Sequence, residues 1–282
     1  MSIVLRMEVN MRCNWFGRFA QMPEKMWRQL ESLLPRYRRS RKGGRPRANL
    51  RGVVNGIFYL LRTGCQWKAL PPQFGSSSTV HRYFQEWGRR RVFHRFWKRC
   101  LQTYDSRRRI GWRWQALDGS MTKAPLGGEK TGKNPTDRGK LGVKRSVVTD
   151  CRGVPLGIAV AGANAHDVKL LRATLQSIPV RRPKSIGRHK QHLCLDKGYC
   201  GHPTETLARR FGYILHIPRK GEIKPQRRAG QRARRWVVEG NHSWTNRARR
   251  LLVRWEKKVG NYLAFVYLQF AYTALKQAGV LG

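Results

Sequence analysis

Acidic residues are scarce in this chain. Its 282 residues include 15 Asp and Glu against 59 Lys and Arg, a formal charge of +44, with the bases spread from Arg6 to Lys276. Such a charge destabilises a compact state by self-repulsion unless a polyanion neutralises it. Nucleic acid is therefore the expected partner, since each phosphate contact releases counterions. A small-molecule substrate is not expected. Cysteine is present but unpatterned: Cys13, Cys65, Cys100, Cys151, Cys194 and Cys200 form no CxxC pair and no His spacing suited to zinc. They read as reduced thiols of a cytoplasmic protein. No stretch resembles a signal peptide, and the apolar run from Tyr262 to Leu275 is too short and too polar to span a bilayer. Core-forming residues are not lacking: 40% of the chain is hydrophobic and ten residues are Trp, enough for one large domain or two ordinary ones.

With so few acids, each one inside a basic run carries information. The stretch from Arg234 to Lys258 places Val237, Val238, Trp244, Leu251, Leu252 and Trp255 roughly on one side of a helix, leaving Arg247, Arg249, Arg250 and Arg254 largely on the others. Among them stands Glu239, which the surrounding positive field would fix as an anion able to hold a metal.

The N-terminal part reads as helical. Residues 1–22 have little pattern and are expected to be an extension. Pro23 to Leu34 is an amphipathic helix, followed by a basic linker with Gly44-Arg45-Pro46-Arg47. Arg45 and Arg47 suit either a minor-groove arm or a solvated linker that touches phosphates only. Asn49 caps a second helix that ends at Gly64, and Ser76 to Ser78 open a third over Thr79–Trp87. Two helices about a short turn suggest a helix-turn-helix with Thr79, His81 and Arg82 facing DNA, or an ordinary helical hairpin. A further helix, Val92–Thr103, leads to Arg107-Arg108-Arg109, the expected boundary between a DNA-binding region (residues 23–110) and a second region (residues 111–282).

Beyond Trp112 the period changes to that of strands. Trp114–Met121 is a buried strand with Asp118 near its end, and a hairpin spans Val143–Ala161. A helix over Asp167–Ile178, a short strand over Gln191–Leu195 ending at Asp196, a helix over Pro203–Phe211 and a strand over Tyr213–Ile217 follow. The pattern predicts an α/β layer with a mixed sheet and flanking helices. Asp118, Asp196 and Glu239 could converge there. Three carboxylates together call for divalent cations, and hard oxygen ligands favour Mg²⁺ or Mn²⁺; two such ions support phosphoryl transfer. Lys123, Lys130, Lys133, Arg138, Lys140, Lys144 and Arg145 surround the hairpin and are expected either to hold phosphates or to form a solvated loop. His166-Asp167 offers either a further metal ligand or a helix cap, and Trp244 and Trp255 either a base-stacking surface or core.

The chain resembles the DDE-type insertion-sequence transposases of the insertion sequence five family from about Trp27 onward. The motifs that carry the resemblance are Gly44-Arg45-Pro46-Arg47, Arg62-Thr63-Gly64-Cys65-Gln66-Trp67 and Ser78-Thr79-Val80, then Leu117-Asp118-Gly119-Ser120 and Asn134-Pro135-Thr136-Asp137-Arg138-Gly139-Lys140. They continue with Gly153-Val154-Pro155-Leu156, Gly162-Ala163-Asn164-Ala165-His166-Asp167, Asp196-Lys197-Gly198-Tyr199 and Trp236-Val237-Val238-Glu239. The resemblance implies a ribonuclease H-like catalytic core preceded by an all-α helix-turn-helix-like domain, with Asp118, Asp196 and Glu239 as the catalytic, metal-binding triad. It implies that Arg235 contacts the DNA backbone, beside DNA contacts at Lys140, Lys144 and Arg247. It also implies a cytoplasmic, nucleoid-associated homodimer that binds terminal inverted repeats in double-stranded DNA, cuts them and joins them to a target. The alternative is a catalytically inactive, sequence-specific DNA-binding descendant. Gly240, Thr245 and Cys200 depart from the family's usual Arg, apolar residue and Asp.

Overall fold

Local signals start the helices of the first third. The structure, a computed structural model, describes residues 21–37, 46–187, 189–218 and 234–281; the expected extension, up to residue 20, and Arg45 lie outside them. Helix α1 (Glu24–Glu31) follows Pro23 and buries Met26, Trp27 and Leu30. Helix α2 (Leu50–Thr63) is capped by the Asn49 side chain, which accepts from the N–H groups of Arg51 and Gly52, and is closed by Gly64 at φ 73°. Helix α3 (Ser77–Arg89) opens on the Ser76 hydroxyl, which accepts from Thr79 N–H. Helix α4 (Val92–Arg108) ends at Arg109, whose φ of 54° turns the chain into the sheet.

The sheet is built from β1 (Trp114–Lys123), β2 (Gly132–Lys133), β3 (Leu141–Thr149), β4 (Pro155–Gly162), β5 (Gln191–Cys194) and β6 (Tyr213–His216). Strand β3 lies antiparallel between β1 and β4, with the short β2 continuing the β4 edge. On the other side of β1, β5 and β6 run parallel to it. Three antiparallel strands in a meander, continued from the first strand by two parallel ones, form the mixed sheet of the ribonuclease H-like fold. Helices α5 (Asp167–Gln176) and α6 (His202–Arg210) connect the parallel part. The first strand extends beyond its expected end, which puts Asp118 in its middle.

The C-terminal run departs most from expectation. In place of one long amphipathic helix there is α7 (Trp236–Asn246), a single turn α8 (Arg249–Leu252), and α9 (Val259–Gln277). Between the last two, Val253 forms an isolated parallel bridge with Lys123. Arg250 and Arg254, expected on solvent-facing sides, are 4% and 0% exposed. Arg250 pairs with Glu256 at 2.7 Å and donates to the Cys65 carbonyl. Arg254 donates to the carbonyls of Glu129, Glu256 and Lys257. These inward bonds end the helical run, because an arginine that caps main-chain carbonyls from buried positions holds the chain in a loop.

Helix α9 buries residues on nearly every side and packs on α3 and α4. One hydrophobic cluster therefore runs from Met22 through the sheet to Leu281. The helical region and the sheet region share a core, and the Arg250–Glu256 pair with its Cys65 contact ties them further. Removing one partner of a buried ion pair costs about 3–5 kcal/mol. Glu256→Gln is expected to lower unfolding free energy by about 3 kcal/mol, measured by urea denaturation; a loss under about 1 kcal/mol would contradict this account.

Candidate active site

The parallel register pairs Ala116 with Cys194. Two residues further along, Asp118 and Asp196 stand side by side where β1 and β5 part. Asp118 Oδ1 accepts from the N–H of Gly119 at 2.8 Å, and Asp196 Oδ1 accepts from that of Gly198 at 2.9 Å, opening a short helical turn. Helix α7 lies across this point because Val238 packs on Ala116 and Cys194. The next residue, Glu239, thereby shares Arg235 with Asp118, and both Asp196 and Glu239 lie near enough to act on the Asp118 carboxyl.

A cation already joins two of them. Arg235, one turn before Glu239, lies 3.1 Å from Glu239 Oε1 and 3.5 Å from Asp118 Oδ2. Burial pushes the Asp118 carboxyl up to about 6; the Gly119 N–H and Arg235 oppose that rise, while Asp196 and Glu239 add to it. Glu239 is more open, with its side chain 46% exposed against 18% for Asp118. As they stand, no three His, Cys, Asp or Glu side chains among the described residues enclose a metal site. The donor set nevertheless fits a hard divalent ion: all its atoms are carboxylate oxygens, and Asp118 is held in a state that positive charge relieves.

The remaining predicted residues scatter. Arg47 is exposed, its guanidinium 4.3 Å over the Tyr37 ring. Arg82 is exposed on α3, but Thr79 is engaged in the Ser76 cap and the His81 ring packs 4.5 Å from the Trp67 ring, so neither leads an open recognition surface. Burial, then Arg250 and Lys258, lower the His81 pKa. Lys140 and Arg247 are exposed. Lys144 is 8% exposed and points to the other face of the sheet, where its Nζ binds the Ala165 carbonyl and Asp167 at 2.9 Å. Arg145 is 1% exposed. Both were expected at phosphates, and strand alternation within a covered sheet is what buries them.

His166 caps α5, and Asp167 is committed to Lys144, so neither joins the carboxylates. Trp255 is an exposed aromatic, while Trp244 packs against Gly153. Thr245 is buried with its hydroxyl unpartnered, and Cys200 is exposed. Gly240 has open space where a side chain would stand. Sequence reasoning missed the rest of one stripe of α7. Arg235, Glu239, His242 and Asn246 recur at intervals of four, three and four, which places them on one helix face. Burial, then Arg145, hold the His242 pKa down to about 3, and the nearby Asp118 main chain opposes that fall.

A family model described as "Transposase DDE domain" matches residues 113–274, and one described as "Putative transposase of IS4/5 family" matches residues 22–97. The chain belongs to the DDE transposases, enzymes that act on DNA. Among curated proteins it is similar to the "Putative transposase for insertion sequence element IS402" of Burkholderia cepacia, 32% identical over 151 residues, covering 50% of this chain and 67% of that one. It is also similar to the "Insertion element IS402 uncharacterized 16.2 kDa protein" of the same organism, 30% identical over 116 residues, covering 40% and 79%. A solved structure, "Crystal structure of a pre-cleavage Mos1 transpososome", aligns over 93% of this chain and 90% of that one at 11% identity, with a TM-score of 0.29. A likeness of that size carries no argument; the fold rests on the strand order and the family match.

The raised Asp118 group has a consequence for stability. A carboxyl whose folded pKa lies above its unfolded value of 3.8 binds its proton more tightly in the folded state. Its contribution therefore falls as pH rises from about 4 to about 6, by at most about 3 kcal/mol. Without divalent metal, Asp118→Asn is expected to be more stable than wild type at pH 7, with the difference closing toward pH 4 in urea melts. A less stable variant at pH 7 would contradict the burial argument.

Proposed function

We propose that this transposase binds the terminal inverted repeats of its own element and performs both cleavage and strand transfer at Asp118, Asp196 and Glu239. The observation that supports this reading is Arg235 bridging Asp118 and Glu239 at the β1–β5 fork, with Asp196 near enough to act on Asp118. Asp118 comes from β1 and Asp196 from the turn two residues past the parallel strand β5, where its side chain accepts from the Gly198 N–H. Such fixed positions suit the tolerances that phosphoryl transfer demands. Glu239 comes from a helix laid over the strands and is open to the solvent from which DNA approaches.

Two Mg²⁺ or Mn²⁺ ions, when bound by these carboxylates, supply activation of the attacking oxygen and stabilisation of the leaving one. The chain's own groups do the positioning. Arg235 holds Asp118 and Glu239 until a DNA phosphate arrives, and then contacts that phosphate with the same planar fork. Water is the first nucleophile and the freed 3′-hydroxyl the second, so no covalent bond to the protein forms. Residues 23–110 bind the inverted repeat, with Arg45, Arg47 and Arg82 on its phosphates or bases; Lys140 and Arg247 hold phosphates nearer the carboxylates. The working form is a homodimer holding two ends, in the cytoplasm and on the nucleoid. Among the described residues no helix is long and apolar enough to cross a membrane.

The test is cleavage and joining of a labelled duplex carrying the element's own end, with Mg²⁺ or Mn²⁺. Glu239→Gln, Asp118→Asn and Asp196→Asn are each expected to reduce both products by at least about 10³-fold while end binding persists. Binding by wild type with neither product under either metal would leave a DNA-binding protein without catalysis. Cleavage without joining would leave a nuclease.

A further inference from the structure

The polar stripe of α7 continues past Glu239 to a second buried arginine. Arg145 on β3 faces Ser120 across the β1–β3 pair, two residues along the strand from Asp118 and on the same side of the sheet. Its Nη2 donates to Asn246 Oδ1 at 2.8 Å and its Nη1 lies 3.5 Å from the Leu251 carbonyl. Among the described residues it pairs with no carboxylate, and its Nε has no partner. Burying an unpaired guanidinium is costly, and an apolar residue would pack the space without that cost. The charge and the fork therefore need a reason beyond packing.

We infer that Arg145, acting through Asn246, is a positioning residue that fixes the axial register of α7 on the sheet and so the distance from Glu239 to Asp118. This rests on the reading of Glu239 as a metal-binding carboxylate. Two residues of the stripe grip the strands. Arg235 grips Asp118 at the start of the helix and Asn246 grips Arg145 at its end. The helix ends immediately after Asn246, where Ala248 turns extended, so Arg145 clamps its last turn. A slip of one residue moves Glu239 by about 1.5 Å along the axis, and a misplacement of about 1 Å at a reacting centre costs on the order of a hundredfold in rate. The N-terminal grip is the one that must be given up, because Arg235 leaves the carboxylates when it takes a phosphate. From then on the register depends on the Arg145–Asn246 clamp.

The experiment compares Asn246→Ala, Asn246→Asp, Arg145→Lys and Glu239→Gln on a duplex carrying the element's end. It measures end binding, the cleavage rate, and Mn²⁺ affinity by electron paramagnetic resonance. Asn246→Ala is expected to bind the duplex within about twofold of wild type, to cleave at least about tenfold more slowly, and to bind Mn²⁺ at least about fivefold more weakly. Asn246→Asp, which makes the clamp an ion pair, restores both properties. A residue with a merely structural role would lower the melting temperature and leave the Mn²⁺ affinity of the folded fraction unchanged. The inference is overturned if a folded Asn246→Ala matches wild type within about twofold in cleavage and Mn²⁺ affinity. If that variant does not fold, Arg145→Lys, which keeps the charge and loses the fork, decides by the same readouts. Glu239→Gln separates the two claims: if it still cleaves and binds Mn²⁺, the carboxylate reading falls and the inference with it. If it is inactive while Asn246→Ala is unaffected, only the inference falls.

Discussion

The burial of the Asp118 carboxyl beside Arg235 and two further carboxylates is the constraint on which the rest of this structure depends. Burial raises the Asp118 carboxyl most, and Asp196 and Glu239 lie close enough to add smaller amounts. Such an arrangement survives only with positive charge in its midst and rigid elements behind it. Arg235 supplies the charge, β1 and the capped turn after β5 supply two positions, and α7, packed through Val238, supplies the third. The arrangement costs stability at neutral pH, as groups shaped for chemistry often do.

The excess of basic residues has two different uses. Exposed ones such as Arg47, Arg82, Lys140 and Arg247 add to a field that attracts polyanions. Buried ones work as connectors. Arg250 and Arg254 join α2, the β1 end and the start of α9 by ion pair and carbonyl contacts, and Arg145 joins β3 to α7. Arginine suits this second use because its fork satisfies several acceptors from one buried position. The shared core between the helical region and the sheet follows from the same connectors and from α9, which packs on α3 and α4.

Much of this was legible in the sequence. Caps at Asn49 and Ser76, the stop at Gly64, and the change of period near Trp112 mark elements that the structure contains, because each is a local event. The three carboxylates stood out because acids are rare here; Asp196 and Glu239 do lie at the start of a helical turn and of α7, whereas Asp118 sits inside β1. What could not be read was non-local. Strand alternation puts Lys144 toward Asp167 on one face and Arg145 toward Asn246 on the other, both buried, and nothing near them in the chain shows which face is covered. The break after Asn246 depends on Glu256 and on carbonyls more than a hundred residues away. His81 carried a recognition-helix pattern, yet Trp67 from the preceding turn claims its ring. The four-three-four spacing of Arg235, Glu239, His242 and Asn246 was visible, but apolar residues drew attention to the opposite stripe.

The central claim is that these three side chains form one metal site when DNA is bound. Anomalous diffraction from crystals of the protein with its end duplex and Mn²⁺ tests it most directly. The account predicts Mn²⁺ peaks within bonding distance of Asp118, Asp196 and Glu239, with the Arg235 guanidinium moved onto a phosphate. Peaks away from these carboxylates, or Arg235 still bridging Asp118 and Glu239 beside a bound duplex, would contradict it.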